Sequence, residues 1–211
     1  MMNSRRLRAL VLHLTRCVLS KDRGAQLVEF AIALPLLMVF VVGIFDFSGA
    51  FTLKQKLTNL ARDAARTAAA DPASDLARPS TPVPVSVNDA YQSIDNYLIT
   101  NNLNDCGITP ASEVPTPPAT WTYSAAGNGC PGNGLTIIIN RFYYFPENGT
   151  AQAPSVNCTA TAVAGQITVI STCVSIQYAY QWKFGGLSQL LGGRVGLPNH
   201  ITATAVAMNE N

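Results

Sequence analysis

Residues 25–45 read AQLVEFAIALPLLMVFVVGIF, an apolar run in which only Gln26 and Glu29 are polar. Crossing a bilayer takes about 20 predominantly apolar residues, so the run predicts one membrane-spanning helix. Pro35 and Gly43 lie inside it, where membrane helices tolerate them better than soluble ones do. Helical spacing then continues through Leu53, Leu57, Leu60, Ala64 and Ala68, and Asp71-Pro72 supplies a stop. The pattern predicts a single helix over 25–70, roughly 70 Å long at the α-helical rise. Its outer half carries an apolar stripe for the distal domain or for neighbouring subunits. Ahead of it, Leu7, Leu10, Val11, Leu14 and Val18 also fall at helical spacing among arginines. That leader reads either as a short amphipathic helix on the inner membrane surface or as a disordered basic tail.

The pattern changes after residue 71. Residues 72–84 are rich in Pro, Ala and Ser and read as a linker or surface loop. Asn88 is a candidate cap for a second helix running to about Asn101, with Ala90, Ile94, Tyr97 and Leu98 on one face. Residues 106–134 are dense in Pro, Gly and Asn and predict mostly loop. Three strands follow, over 135–145, 166–182 and 201–208, with a short fourth at Trp121-Thr122-Tyr123. In the longest, Val174, Ile176, Tyr178 and Tyr180 alternate with Ser175 and Gln177, which assigns the first set to the core face. Residues 185–197 suggest a short helix in a loop. The expected fold is α+β: a long N-terminal helix packed on an antiparallel sheet, with a second helix. The expected layout is a leader over 1–24, a helix over 25–70, a linker over 71–87 and an α+β domain over 88–211.

Charge sharpens this division. Charged residues make up 12% of the 211-residue chain, about half the usual share, which fits a membrane or exported surface. The leader holds Arg5, Arg6, Arg8, Arg16, Lys21 and Arg23 against Asp22, so the net charge of +2 originates there and the rest of the chain is acidic. Such a leader suits the cytoplasmic side and an anionic lipid surface, although Lys54, Lys56 and Arg62 beyond the run weaken the orientation signal. No basic patch interleaved with aromatics points to nucleic acid.

Four cysteines, Cys106, Cys130, Cys158 and Cys173, lie in the distal domain, while Cys17 stands in the leader. An even set beyond an export signal reads as two disulfides. Three pairings are open, and proximity along the chain favours Cys106 with Cys130 and Cys158 with Cys173. Zinc is disfavoured, since no C-x-x-C pair occurs and His200 is the one distal histidine. A calcium site around 101–105 is a weak alternative. Asn148-Gly149-Thr150 and Asn157-Cys158-Thr159 match glycosylation acceptors but read as turn and strand chemistry. No nucleophile elbow, P-loop or dinucleotide glycine pattern occurs. The expectation is a protein that is not an enzyme and uses no metal or cofactor.

The junction Lys21-Asp22-Arg23-Gly24-Ala25-Gln26-Leu27-Val28-Glu29-Phe30 resembles the prepilin processing motif, a glycine followed by four residues and a glutamate before an apolar run. More closely, 23–37 resembles the start of the TadE-like family of the tight-adherence pilus system. Asp46-Phe47 and the stretch 57–66 resemble further blocks of that family. Gly49 departs from its pattern, so no role is carried to that position. The resemblance implies cleavage by a prepilin peptidase after Gly24, a mature chain starting at Ala25, and a role for Glu29 in aligning a subunit on its neighbour's amine. It implies a minor pilin or pseudopilin in the bacterial inner membrane, with the distal domain periplasmic or extracellular. Its partners would be the peptidase, other pilin subunits, the assembly platform and membrane lipid. The competing expectations are a main filament subunit and an anchored adhesin or binding module. Ser48-Gly49-Ala50 also offers small residues to a general signal peptidase, whose cut would leave Phe51 first.

Overall fold

The computed structural model describes residues 22–72, 83–110, 113–116, 119–146, 154–159, 168–183 and 197–210. Helix α1 (Asp22–Ala70) runs uninterrupted through Pro35. The chain divides into two compact units, one ending at Phe47 and the other beginning at Ser48. In the first unit the α1 side chains are largely exposed, including Leu27, Phe30, Ile32, Leu37 and Phe40. Among the described residues this is the one helix long and apolar enough to cross a membrane, which is compatible with a single-pass anchor.

The second unit is α+β. The rest of α1 and helix α2 (Val85–Thr100) lie on one face of a five-stranded sheet. The strands are β1 (Glu113–Thr116), β2 (Thr120–Ala125), β3 (Leu135–Pro146), β4 (Thr168–Ala179) and β5 (His200–Met208). They pair in sequence order, each antiparallel to the next. Leu53, Leu57, Leu60, Ala64 and Ala68 of α1 are all buried, as their spacing requires. They meet Val87, Ala90, Tyr91, Ile94 and Leu98 of α2 and Leu135, Ile137, Ile139, Val174, Ile176 and Tyr178 of the sheet.

Three local expectations need correction. Helix α2 begins three residues before Asn88, with Pro84 as its N-terminal cap and no side-chain capping bond. Proline is tolerated there, because the first helical N–H groups have no intrahelical acceptor anyway. The stretch expected to be mostly loop, with one short strand at Trp121–Tyr123, holds that strand as the centre of β2 and also contains β1, which was not expected; β1 includes Pro115, and an edge strand accepts a residue without an N–H on its free side. Ser175, which alternation puts on the face opposite Val174 and Ile176, is fully buried. A smaller cluster of Ile138, Tyr143, Cys158 and Cys173 covers that second face, so the alternation identified the face but not what lies on it. All but the last residue of the helix proposed within 185–197, the leader up to residue 21, most of the linker and the Asn148 acceptor lie outside the described residues.

Both disulfides join neighbours along the chain, Cys106–Cys130 and Cys158–Cys173. The first ties the loop after α2 to the β2–β3 connection. The second fastens 154–159 onto β4, where Asn140 Nδ2 also donates to the Cys158 carbonyl at 2.8 Å.

Candidate assembly and processing segment

Gly24, Ala25 and Glu29 all lie on the first turns of α1, and all three are exposed. The sequence alone suggests a glycine where a flexible chain enters the helix, whereas α1 already begins at Asp22. A Cβ added to Gly24 would meet nothing within 4 Å, so there is space for a side chain at this position. Ala25 and Glu29 are four residues apart and share a helix face, about 6 Å apart along the axis. An amine created at Ala25 and the Glu29 carboxylate would therefore stand one turn apart. The structure thus brings these three residues together on one short stretch, and the four cysteines belong to the other unit.

Asp46 differs from its exposed neighbours, for it is 7% exposed and engaged with other groups. A carboxylate is buried only with compensation, so Asp46 is a structural fixture near the end of the apolar run.

The second unit holds a polar centre that sequence reasoning missed. Arg141 is fully buried on β3. Its guanidinium donates to the Ala68 carbonyl in the last turn of α1, and at 3.0 Å to the Asp71 carbonyl. It also donates at 2.9 Å to Thr172 Oγ1, which donates in turn to Asn209 Oδ1 at 2.5 Å. The Glu210 N–H donates to the Ala69 carbonyl at 2.9 Å. Helix α1 has no basic residue in its last turn. Its terminal carbonyls and negative dipole end are instead satisfied from the sheet. A bulge makes this possible. Asn140 pairs with Cys173 and Tyr143 with Ser171, so Arg141 and Phe142 together oppose Thr172. Arg141 continues the helix-facing set of Ile137 and Ile139, while Tyr143 moves to the opposite cluster. The one signal in the sequence was an arginine inside an apolar β-run.

A further group surrounds the loop after α2. Tyr91 Oη donates to the Ile108 carbonyl at 3.2 Å, and the ring stacks on Tyr123 at 4.6 Å. Burial pushes the Tyr91 phenol up to about 12, with Asp95 and Asp105 adding to it. Burial also raises the Asp95 carboxyl, with repulsion from Asp105 second. Two of the side-chain oxygens in the Asn101–Asp105 stretch considered for calcium are used locally: Asn104 Oδ1 accepts from the Cys106 N–H at 2.8 Å and Asp105 Oδ1 from the Gly107 N–H at 3.1 Å. These bonds hold a turn in which Cys106 and Gly107 both have positive φ.

Residues 24–66 match the family model described as TadE-like protein. No curated protein and no solved structure matches the chain.

Proposed function

We propose that this chain, TadE-like over residues 24–66, is a minor pilin or pseudopilin that takes part in assembling a tight-adherence type pilus. The family match implies a pilus-associated protein that interacts with other pilus components. The finer reading rests on where that match begins: at Gly24, the glycine of the processing motif, on a helix whose apolar side chains are exposed.

In this reading the helix inserts in the inner membrane as a single-pass anchor, with the leader on the cytoplasmic side and the sheet domain outside. Burying the exposed apolar side chains in lipid, or against neighbouring helices, satisfies a surface that water disfavours. A prepilin peptidase cuts the Gly24–Ala25 bond and removes the basic leader. The new Ala25 amine and the Glu29 carboxylate then present opposite charges one helical turn apart. A neighbour displaced by one turn can pair its amine with this carboxylate, and in a low-dielectric surrounding such a pair selects register strongly. The role is structural, with the distal domain contacting other pilus components or ending the assembly.

The test is the N-terminus of the mature protein from membranes of the native host. Ala25 as first residue supports the reading. Phe51 would show general signal-peptidase cleavage and release of the distal unit, and an uncut leader would favour an anchored binding module; either result overturns it. Glu29→Ala should leave cleavage intact while filament assembly falls, and normal assembly would refute the register role.

A further inference from the structure

The geometry points to an interfacial anchor at one end of the second unit: Phe51, Tyr180 and Trp182 seat that end in the headgroup layer of the bilayer that α1 enters. The inference rests on the membrane placement proposed above and adds a contact between lipid and the sheet domain.

The direction of β4 along α1 fixes which end this is. At one end of the unit, Arg141 links the Ala68 carbonyl to Thr172 of β4. At the other, a Cβ placed on Gly49 would stand 3.1 Å from Tyr180 Oη. From Thr172 to Tyr180 the strand advances about 26 Å at its usual rise. From Ala68 back to Gly49 the helix spans about 28 Å. The two elements run antiparallel over matching lengths, so β4 leads toward the start of the unit's helix. Lys54 Nζ bonds to the Thr202 carbonyl near the same end.

The residues gathered there have the chemistry of a membrane–water boundary. Tyr180 and Trp182 meet edge to face at 5.0 Å. Trp182 Nε1 donates to the Pro198 carbonyl at 2.8 Å, which fixes the indole on the chain leading into β5. Phe51 is 64% exposed two residues along α1 from Gly49, at the same level but on another side of the helix. Lys54 and Lys183 are exposed nearby along the chain. Amphipathic rings with flanking lysines favour the headgroup layer, where one end of the ring is apolar and the other wet. Chain length supports the same level: Gly49 is only two residues past Phe47, where the exposed apolar stretch of the first unit ends.

The full chain contains a built-in reference. Trp121 pairs with Ile139 and Ile139 with Val174, six residues before Tyr180 and therefore about 20 Å away along the sheet. The experiment uses the full chain in nanodiscs of anionic and zwitterionic lipid carrying a spin label either near the headgroup or near the chain end. Trp182 emission, taken as the difference between wild type and Trp182→Phe, should fall by about half with the shallow label. Trp121, which remains in Trp182→Phe, should be unaffected. A Phe40→Trp variant in the Trp182→Phe background reports insertion separately and should respond to the deep label. Quenching of the indole introduced at position 40, with none at Trp182, would overturn the anchor and leave the membrane reading standing. No quenching at either position would overturn both. Should Trp182→Phe fail to fold, a spin-labelled Phe51→Cys variant in a Cys17→Ser background, with accessibility to lipid-soluble and water-soluble relaxants, gives the same depth measurement.

Discussion

Arg141 shows how one side chain can decide a local structure. Its bonds to carbonyls at the end of α1, to Thr172 and to Asn209 replace the basic residue that the helix lacks in its last turn. Arg141→Ala leaves those carbonyls buried without donors and opens a cavity, and should lower stability by about 3 kcal/mol. Arg141→Lys keeps the charge but not the forked donor geometry, and should recover only part of the loss. Thermal melts of the full chain in detergent would measure both. Gly134 is a second such position. Its φ is +69°, and a Cβ there would lie 2.1 Å from the Ala125 carbonyl oxygen, so Gly134→Ala should cost about 3 kcal/mol or prevent folding. The Asp95 and Tyr91 shifts give a sign for pH dependence. Both groups hold their protons more tightly folded than unfolded, so the folded state binds more protons and stability falls as pH rises through each window. For Asp95 the fall begins near the unfolded value of 3.8 and ends at its raised folded value. For Tyr91 it runs from 10.0 to about 12. Asp95→Asn should raise the melting temperature at pH 7 relative to wild type and show no such gain below pH 3; an equal gain at both would refute the assignment.

At the scale of elements, helix α1 is seated on the sheet through complementary sizes. Gly49 admits the Tyr180 hydroxyl at a distance that leaves little space for a side chain. Gly49→Leu should destabilise the unit by about 2 kcal/mol through overpacking, measured by the melt, and Tyr180→Phe should relieve part of it. The disulfides act on loops. Cys106–Cys130 and Cys158–Cys173 close loops with sequence separations of 24 and 15, so each should contribute about 3 kcal/mol by the chain-entropy account. Removing Cys158–Cys173 should also uncover Ser175 and Ser171 on the second face, read as faster amide exchange along β4 relative to the Cys106–Cys130 double serine variant. The element boundaries teach a related lesson. Density of β-branched and aromatic residues located β3, and alternation located β4 and β5, because each strand carries a long apolar face. It missed β1, a four-residue edge strand containing proline, where little burial leaves little pattern.

For the whole molecule, the sequence alone determined the large features. The unbroken apolar run, the continued stripe from Leu53 to Ala68, the concentration of basic residues before Gly24 and the Gly24-to-Glu29 spacing are all local, contiguous signals. A hydrophobic period is readable because solvent exclusion acts on each element wherever it packs. The α+β class followed from the same periods. What only the tertiary structure decided depends on residues far apart in the chain. The bulge at Arg141 matters because the end of α1, about 70 residues earlier, needs donors. Ser175 is buried on the sheet face where Cys158, 15 residues earlier than its partner, is joined to Cys173. Tyr180 gains a position beside Gly49, and Trp182 one against Tyr180, only once β4 runs back along α1. No local pattern encodes such meetings, because their free energy appears only when both partners have lost water together.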